Sequence, residues 1–262
     1  RLGLASGDDL MLVEKLLERP RHVEVQVFFD QRGQGVALFD RDCSVQRRYQ
    51  KVVEEAPAPD LPESTRSAMR DAAIAAAQAI DYVGAGTVEF LVGEDHAFYF
   101  MEMNTRLQVE HPVTEWVAGV DLVGWQLAVA SGEPLPLSQE ALNCTGHAIE
   151  VRLYAEDPDN DYLPSTGRIE RLRFPAETSW VRIDSGVIEG DEVSVHFDPM
   201  IAKIIARGSN REAACHTMLE ALREVQVAGV ATNLELLERI VGFLQFSERP
   251  TANGTPSRAA AS

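Results

Sequence analysis

Three oxygen-bearing side chains lie in two neighbouring segments that both read as strands. Glu89 lies inside Thr-Val-Glu-Phe-Leu-Val, and Glu102 and Asn104 lie two residues apart in Phe-Met-Glu-Met-Asn. Side chains two apart share one face of a strand. If the segments form a hairpin in which residue 89 faces residue 100, Glu89 is diagonal to Glu102, with Cα atoms about 7–8 Å apart. Two carboxylates and an amide on one face suit Mg²⁺; the alternative is a solvated sheet face.

The segment after the second strand carries polar side chains at every second position: Glu102, Asn104, Arg106, Gln108 and Glu110. An extended chain would line one surface with all five. Five such groups are costly to bury without a ligand. The planar guanidinium of Arg106 suits an oxyanion such as bicarbonate or phosphate, and Glu110 can serve as a general base. The alternative is an exposed strand edge.

A second candidate is the basic stretch from Asp42 to Lys51 in an otherwise acidic chain. The chain has 24 basic residues, and only three are lysines: Lys15, Lys51 and Lys203. A protein that uses Arg almost everywhere for charge is expected to keep Lys where a compact ammonium is needed. Coding bias is the alternative explanation for the small number of lysines. The basic stretch from Asp42 to Lys51, taken alone, is more typical of a solvated surface than of a site.

Three longer motifs resemble one enzyme family. They are Arg21-His22-Val-Glu-Val-Gln, the run at residues 41–59, and Glu102–Pro112. From about residue 8 to about residue 245 the sequence is similar to biotin carboxylases, the components of acetyl-, propionyl- and methylcrotonoyl-CoA carboxylases and of pyruvate carboxylase. The resemblance implies an ATP-grasp fold that carboxylates biotin with bicarbonate and MgATP. Motifs later in the chain look closest to the methylcrotonoyl and propionyl types.

The resemblance also implies a role for each matching residue. The residues implied in nucleotide binding are Glu14, Lys15 and Leu17 at the adenine, with His22, Gln46, Glu89 and Glu102. The implied metal ligands are Glu89, Glu102 and Asn104, and the implied bicarbonate cradle is Lys51, Arg106, Gln108 and the Val109 backbone. Glu110 matches the base that deprotonates bicarbonate, and Arg152 matches the residue that stabilises the biotin enolate. The implied catalytic set is therefore Glu110, Arg152, Arg106 and Lys51.

The implied cofactors are ATP, Mg²⁺ or Mn²⁺, and biotin on a separate carrier domain, with bicarbonate as substrate. The implied partners are that carrier domain and a carboxyltransferase subunit, and the complete enzyme is expected to be a homo-oligomer. The family's N-terminal subdomain and glycine-rich lid would lie upstream of Arg1, so we expect the chain to be incomplete for activity alone. Tyr49 stands where many members have His.

Two other functions stay open. One is another ATP-grasp ligase, such as the carbamoyl-phosphate synthase large subunit, although Gln108 and Glu110 do not fit that family's pattern. The other is a noncatalytic remnant that only binds a partner subunit. An upstream reading frame that encodes a glycine-rich loop and a Lys would argue against the remnant.

Alternation and turn signals predict an α+β protein with a mainly antiparallel sheet flanked by helices. Strands are predicted at 10–17, 23–29, 36–40, 87–92, 97–104, 147–155, 168–174, 180–184 and 200–206. Helices are predicted at 63–80 and 114–131, after a capping box at Ser209, and from Thr232. A Gly/Pro-rich stretch at 132–146 suggests a boundary, which gives an ATP-grasp part at 1–136, a biotin carboxylase C-terminal domain at 147–248 and a frayed tail at 249–262.

The net charge of −17 disfavours nucleic acid and anionic membranes as partners. The three cysteines are far apart, which argues against a disulfide framework and a zinc site. The sequence has no apolar run close to the roughly 20 residues of a membrane span, and no signal peptide is expected at its start. We therefore expect the cytoplasm, or the mitochondrial matrix in a eukaryote.

Overall fold

The computed structural model describes residues 16–246, and its centre is one eight-stranded antiparallel sheet. The strands in chain order are β1 (Arg21–Phe29), β2 (Gly35–Arg47), β3 (Gln50–Ala56), β4 (Gly84–Val92), β5 (Phe98–Asn104), β6 (His147–Tyr154), β7 (Glu156–Asp157), β8 (Leu163–Pro164), β9 (Gly167–Arg168), β10 (Arg171–Arg173), β11 (Val181–Ser185), β12 (Glu192–Val193), β13 (Met200–Gly208) and β14 (Gln226–Ala228). The large sheet has the order β11-β13-β6-β3-β2-β1-β4-β5, and the short strands form three two-stranded sheets.

Five α-helices flank this sheet within the described residues: α1 (Glu63–Gln78), α2 (His111–Ala118), α3 (Leu122–Ala130), α4 (Arg211–Glu224) and α5 (Leu234–Phe246). Short 3₁₀ turns lie at Gln139–Ala141 and Pro158–Asn160. Helix α1 packs on the valines of β1, while α4 and α5 pack on the apolar residues of β6 and β13. Helix α2 covers the alternate residues of β3, β6 and β13. Because side chains alternate along a strand, α2 lies on the opposite sheet face from α4.

The face beneath α2 is rich in polar groups although it is buried. On β1, Val23, Val25 and Val27 enter the apolar core with α1. Their neighbours Glu24 and Gln26 point to the other face and are also fully buried. A buried polar face is rare unless its groups pair with one another, so the sheet positions a charge network on this side.

Several predicted boundaries were wrong. The predicted strand 36–40 is too short, because β2 continues to Arg47, and the strand β3 that starts at Gln50 was not predicted. The predicted helix 114–131 is two helices, since Gly119 adopts a left-handed φ of 68° and ends α2, and Asp121 then caps α3. The cap of α4 is Asn210 rather than Ser209, and its side chain accepts the Ala213 N–H. Most of the predicted strand 10–17 lies outside the described residues.

The large sheet crosses the predicted domain boundary. Strand β3 pairs with β6 so that Val53 faces Val151 and Glu54 faces Glu150. The strands before the Gly/Pro-rich stretch and those after it therefore form one continuous sheet. The limits 1–136 and 147–248 stay a prediction, and the tail at 249–262 lies outside the described residues.

Candidate active site

Lys51 lies at the centre of three carboxylates on the buried polar face. Its Nζ is 2.8 Å from Glu24, 3.2 Å from Glu89 and 2.6 Å from Glu110. Burial opposes the ammonium charge, but the surrounding negative charges outweigh it and raise the pKa of Lys51. Lys51 is therefore a fixed cation that holds side chains from β1 and β4 and from the segment before α2 together.

Glu110 is shared between two cations. One of its oxygens contacts Lys51, and the other accepts a hydrogen bond of 3.1 Å from the Arg152 guanidinium. Arg152 comes from β6 and also donates to Glu54 on β3 at 2.7 Å. The Glu110 carboxylate is only 2% exposed. The structure thus brings the predicted base and the predicted enolate-binding residue into direct contact.

Glu89 and Glu102 face each other directly, which differs from the predicted diagonal. Glu89 pairs with Glu102, whereas the next residue, Phe90, pairs with Phe100. Met101 is therefore the extra residue of a β-bulge, and residue 89 does not face residue 100. The Asn104 amide donates to Glu89 at 3.0 Å and to Glu102 at 3.2 Å. All three predicted metal ligands accordingly lie on one sheet face.

The Glu89 carboxylate is held in its ionised form. His22 Nε2 lies 2.6 Å from one of its oxygens, and the Gln108 amide donates to the other at 2.8 Å. Burial raises the pKa of Glu89, but the His22 hydrogen bond and the charge of Lys51 outweigh it and lower the pKa to about 2. An ionised carboxylate with a neighbouring exposed carboxylate, Glu102, provides hard oxygen donors of the kind that Mg²⁺ binds.

His22 and Gln46 line an open cleft beside this group. Gln46 Nε2 lies 2.8 Å from His22 Nδ1 and 2.7 Å from the Cys43 carbonyl oxygen. Nδ1 therefore accepts a hydrogen bond, and Nε2 donates to Glu89. The cleft has a volume of about 580 Å³, and its lining is Arg19, Pro20, His22, Ser44, Gln46, Arg48, Tyr49, Leu91 and Met101. Tyr49, the departure from the family pattern, is fully open to solvent at its rim.

Arg106 stands apart from the Lys51–Glu110 group. It is exposed, and its guanidinium contacts the Asn104 side chain at 3.3 Å and the Leu107 carbonyl at 3.4 Å. The Val109 carbonyl oxygen accepts a hydrogen bond from Lys203 at 2.6 Å. Leu17 lies four residues before β1 and is partly buried, while Glu14 and Lys15 lie outside the described residues.

Arg41 is a central member of the site that the sequence analysis missed. It is fully buried, and its guanidinium donates to five side chains from four parts of the chain: Glu24, Gln26, Thr87, Gln108 and Thr114. Gln108 also donates to Glu89. Arg41 thus fixes the residues that surround Lys51. The sequence did contain one indication of a buried polar partner such as Arg41, because the polar residues Glu24 and Gln26 alternate with valines within β1.

Two other groups of metal-ligand types lie close together in the described part of the chain. The side chains of His22, Glu24 and Glu89 lie within 4.8 Å of one another, as do those of Glu24, Cys43 and Glu110. Glu24 belongs to both groups, but Arg41 and Lys51 already hold its two oxygens. The two oxygens of Glu89 are also held, one by His22 and the other by Lys51, Asn104 and Gln108. Among the predicted metal ligands, Glu102 has an exposed side chain that a divalent cation could reach from solvent.

Two family models match the chain over most of its length. The model described as "Carbamoyl-phosphate synthase L chain, ATP binding domain" matches residues 2–138, and the one described as "Biotin carboxylase C-terminal domain" matches residues 150–253. The first model alone covers more than half of the 262 residues.

The similar curated proteins are carboxylase subunits. The chain is 54% identical over 240 residues to methylcrotonoyl-CoA carboxylase subunit alpha, mitochondrial, of Rattus norvegicus, which covers 92% of the chain and 34% of that protein. It is 49% identical to the propionyl-CoA carboxylase alpha chain of Ruegeria pomeroyi, with 92% and 38% covered. The chain therefore spans about a third of the length of the curated relatives it matches.

Solved structures agree with these matches. The biotin carboxylase domain of the Hydrogenobacter thermophilus 2-oxoglutarate carboxylase, solved with MgADP and bicarbonate, superposes with a TM-score of 0.87 at 41% identity, covering 91% of the chain and 53% of that domain. The pyruvate carboxylase of Rhizobium etli gives 0.87 at 41% identity, covering 93% and 25%. The fold is thus that of an ATP-grasp enzyme. Within this class, the chain belongs to the biotin carboxylase family.

The helices of residues 16–246 do not combine the length and the apolar character that crossing a bilayer requires.

Proposed function

We propose that this chain provides the proton-transfer and carboxylate-rich part of a site that carboxylates biotin with bicarbonate and ATP. The observation that carries the proposal is the position of Glu110, whose two oxygens contact Lys51 and Arg152. A base that removes a proton from bicarbonate must lie beside cations that hold the anion. We propose that Arg152, which contacts the same carboxylate, stabilises the second substrate.

The proposed reaction has two stages. Glu110 removes the bicarbonate proton, and a bicarbonate oxygen attacks the γ-phosphorus of ATP while the bond to the departing ADP breaks. The resulting carboxyphosphate separates into CO₂ and phosphate, and the phosphate takes the proton from the biotin ureido nitrogen. Arg152 stabilises the enolate oxygen as the deprotonated nitrogen attacks CO₂. Charges that are already fixed in position lower the barrier without reorganisation.

The chain's own residues supply the positioning. The three N–H donors of Lys51 contact Glu24, Glu89 and Glu110, and we propose that bicarbonate replaces one of these contacts when it binds. Gln108 bridges Arg41 and Glu89, which fixes the segment before α2. We propose that Arg106, which lies exposed beside Asn104, contacts the bicarbonate from the solvent side.

A divalent cation fits the residues on the hairpin of β4 and β5. Glu89 is ionised, Glu102 is exposed and Asn104 contacts both, so three oxygen-bearing side chains converge on one face of the hairpin. We propose Glu89, Glu102 and Asn104 as the residues that hold Mg²⁺ or Mn²⁺. When bound, the ion would offset the negative charge of the ATP phosphates. The nucleotide base would occupy the cleft lined by His22 and Gln46, with Glu14, Lys15 and Leu17 at the adenine.

The proposed partners are a biotin carboxyl carrier domain and a carboxyltransferase subunit, since the relatives are named as carboxylase subunits. We also propose that the complete enzyme is a homo-oligomer. The compartment stays a prediction: the cytoplasm, or the mitochondrial matrix in a eukaryote.

The test uses the full-length gene product and its Glu110→Gln variant. The assay follows transfer of labelled bicarbonate to biotin together with release of ADP. The wild-type protein is expected to carboxylate biotin, and the variant, which keeps the shape of Glu110 without its charge, is expected to be slower by about 10²–10⁴-fold. Equal rates for the two proteins would refute the proposal. ATP cleavage that requires ammonia rather than biotin would favour a carbamoyl-phosphate synthase-like ligase, and inactivity with retained carrier binding would favour a noncatalytic remnant.

A further inference from the structure

Lys203 is the lysine that the proposed chemistry leaves without a role. It lies on β13 and is 8% exposed. Its Nζ donates to the Val109 carbonyl oxygen at 2.6 Å and lies 3.2 Å from an Asp184 oxygen. A buried ammonium needs compensation for its lost hydration. Here one of its partners is the backbone at Val109, the residue before the proposed base Glu110.

Val109 lies between two residues that form the site. Gln108 contacts Arg41 and Glu89, and Glu110 contacts Lys51 and Arg152. The Val109 carbonyl belongs to the same rigid peptide unit as the Glu110 nitrogen. A hydrogen bond that fixes this carbonyl therefore fixes the peptide plane that positions the nitrogen and Cα of Glu110.

Lys203 is itself held from the neighbouring strand. Asp184 on β11 faces Lys203, and both oxygens of Asp184 accept hydrogen bonds from Arg182. Arg182 also donates to Glu115 at 2.8 Å. Glu115 lies on α2, which begins immediately after Glu110. The pair β11–β13 thus holds the backbone before Glu110 through Val109, and it holds α2 after Glu110 through Glu115.

A purely structural role would make Lys203 the countercharge for Glu150. The distance from Nζ to Glu150 is 3.8 Å, too long for a hydrogen bond. Burial raises the pKa of Glu150 well above its usual range although the charge of Lys203 lowers it, so Lys203 offsets the burial of Glu150 only in part. Asp184 keeps its two hydrogen bonds from Arg182 without Lys203. The contact that depends most on Lys203 is therefore the one to Val109.

We propose that Lys203 is a positioning residue, which orients Glu110 for proton transfer through the Val109 carbonyl. The proposal rests on the proposed function of Glu110 as the base, and it adds a residue on β13, outside the predicted catalytic set, to the same reaction. A misplacement of about 1 Å at a catalytic group can lower a rate about a hundredfold.

The experiment compares Lys203→Met with the wild-type full-length gene product. We expect the biotin carboxylation kcat to fall about tenfold to a hundredfold, while the KM for ATP changes less than about twofold. In a Glu110→Gln background the same substitution should have little further effect, because both act at one proton transfer. Equal losses in the two backgrounds would overturn the proposal. Ile204→Val, on the opposite face of β13, is the matched core control and should keep the wild-type kcat.

Amide hydrogen exchange over residues 106–115 separates this proposal from the proposed function. Faster exchange there in Lys203→Met, with an inactive wild-type protein, would support the positioning role of Lys203 and refute the carboxylation reaction. Unchanged exchange and unchanged kcat would refute the positioning role and leave the proposed reaction standing. If Lys203→Met does not fold, Lys203→Leu, which also removes the N–H donor, replaces it with the same expected results.

Discussion

Glu54 and Glu150 face each other directly across β3 and β6 in the interior of the protein. One oxygen of Glu54 and both oxygens of Glu150 have no hydrogen-bond partner among the described residues. Burial, with a contribution from Glu110, raises the pKa of Glu54 to about 7. Burial and the charge of Glu54 raise the pKa of Glu150 as well. Two adjacent buried carboxyl groups are disfavoured in their charged forms, and here the nearby cations Arg152 and Lys203 oppose that effect only in part.

This pair predicts that the free energy of unfolding decreases as pH rises. Below about pH 4.5 both folded and unfolded chains are protonated at these sites, so the folded state has no penalty. Between about pH 4.5 and about 7 the unfolded chain loses this proton while the folded protein keeps it, so stability falls over this range and levels off above it. Glu150→Gln should therefore stabilise the protein at pH 8, by an amount on the order of 1–3 kcal/mol, and less at pH 5. Urea unfolding of the wild type and the variant at both pH values measures this, and a variant that is less stable than the wild type at pH 8 would contradict it.

The second prediction concerns Glu110→Gln in the full-length gene product. Loss of a general base typically lowers the rate about 10²–10⁴-fold, whereas the nucleotide cleft at His22 and Gln46 is untouched. We expect biotin carboxylation to fall by that factor while ATP affinity stays nearly unchanged. Calorimetric titration with ATP checks the affinity. A parallel loss of ATP affinity would instead identify Glu110 as a nucleotide or metal ligand.

The third prediction concerns the paired carboxylates of β4 and β5. Glu89→Gln and Glu102→Gln should each raise the Mg²⁺ concentration that half-maximal activity requires, and each should lower turnover. The double variant should lose less than the sum of the two, because both residues serve one cation. Activity measured across a Mg²⁺ titration tests this, and wild-type Mg²⁺ dependence in both single variants would exclude the metal role.

The fourth prediction concerns the buried guanidinium of Arg41. Its removal leaves Glu24 buried with only Lys51 as a countercharge, and breaking a buried ion pair typically costs about 3–5 kcal/mol. Arg41→Met should therefore destabilise the protein strongly. Arg106→Met, which removes an exposed guanidinium, should leave the free energy of unfolding within about 0.5 kcal/mol of wild type. Denaturant unfolding of both variants is the measurement, and similar values for the two would contradict the role assigned to Arg41.

The sequence predicted the parts of the site that depend on local pattern. Period-two alternation predicted the hairpin with Glu89, Glu102 and Asn104 on one face, because the face of a strand residue follows from its position alone. The predicted pairing of residue 89 with residue 100 was wrong, because Met101 forms a bulge in β5. An inserted residue changes the register of a strand pair without any signal in composition.

The long-range contacts could not be predicted in the same way. Arg41 donates to Thr87 and Thr114, which are 46 and 73 residues away, and Lys203 reaches Val109 across 94 residues. Such contacts depend on which strands become neighbours in the sheet. Polar residues inside β1 indicated only that this face was unusual, and the resemblance to biotin carboxylases supplied the role of Arg152.

The pairing of β3 with β6 means that the site cannot be inherited in two pieces. Lys51 and Glu110 come from the stretch of chain before residue 132, whereas Arg152 and Lys203 come from the stretch after residue 146. The two stretches are joined in the sheet by the backbone hydrogen bonds between β3 and β6. A recombination point between residues 132 and 146 would leave either fragment with a bare strand edge and half of the charges. Evolution could therefore exchange these stretches between relatives only where β3 and β6 of the two parents remain compatible, which ties the histories of both stretches together.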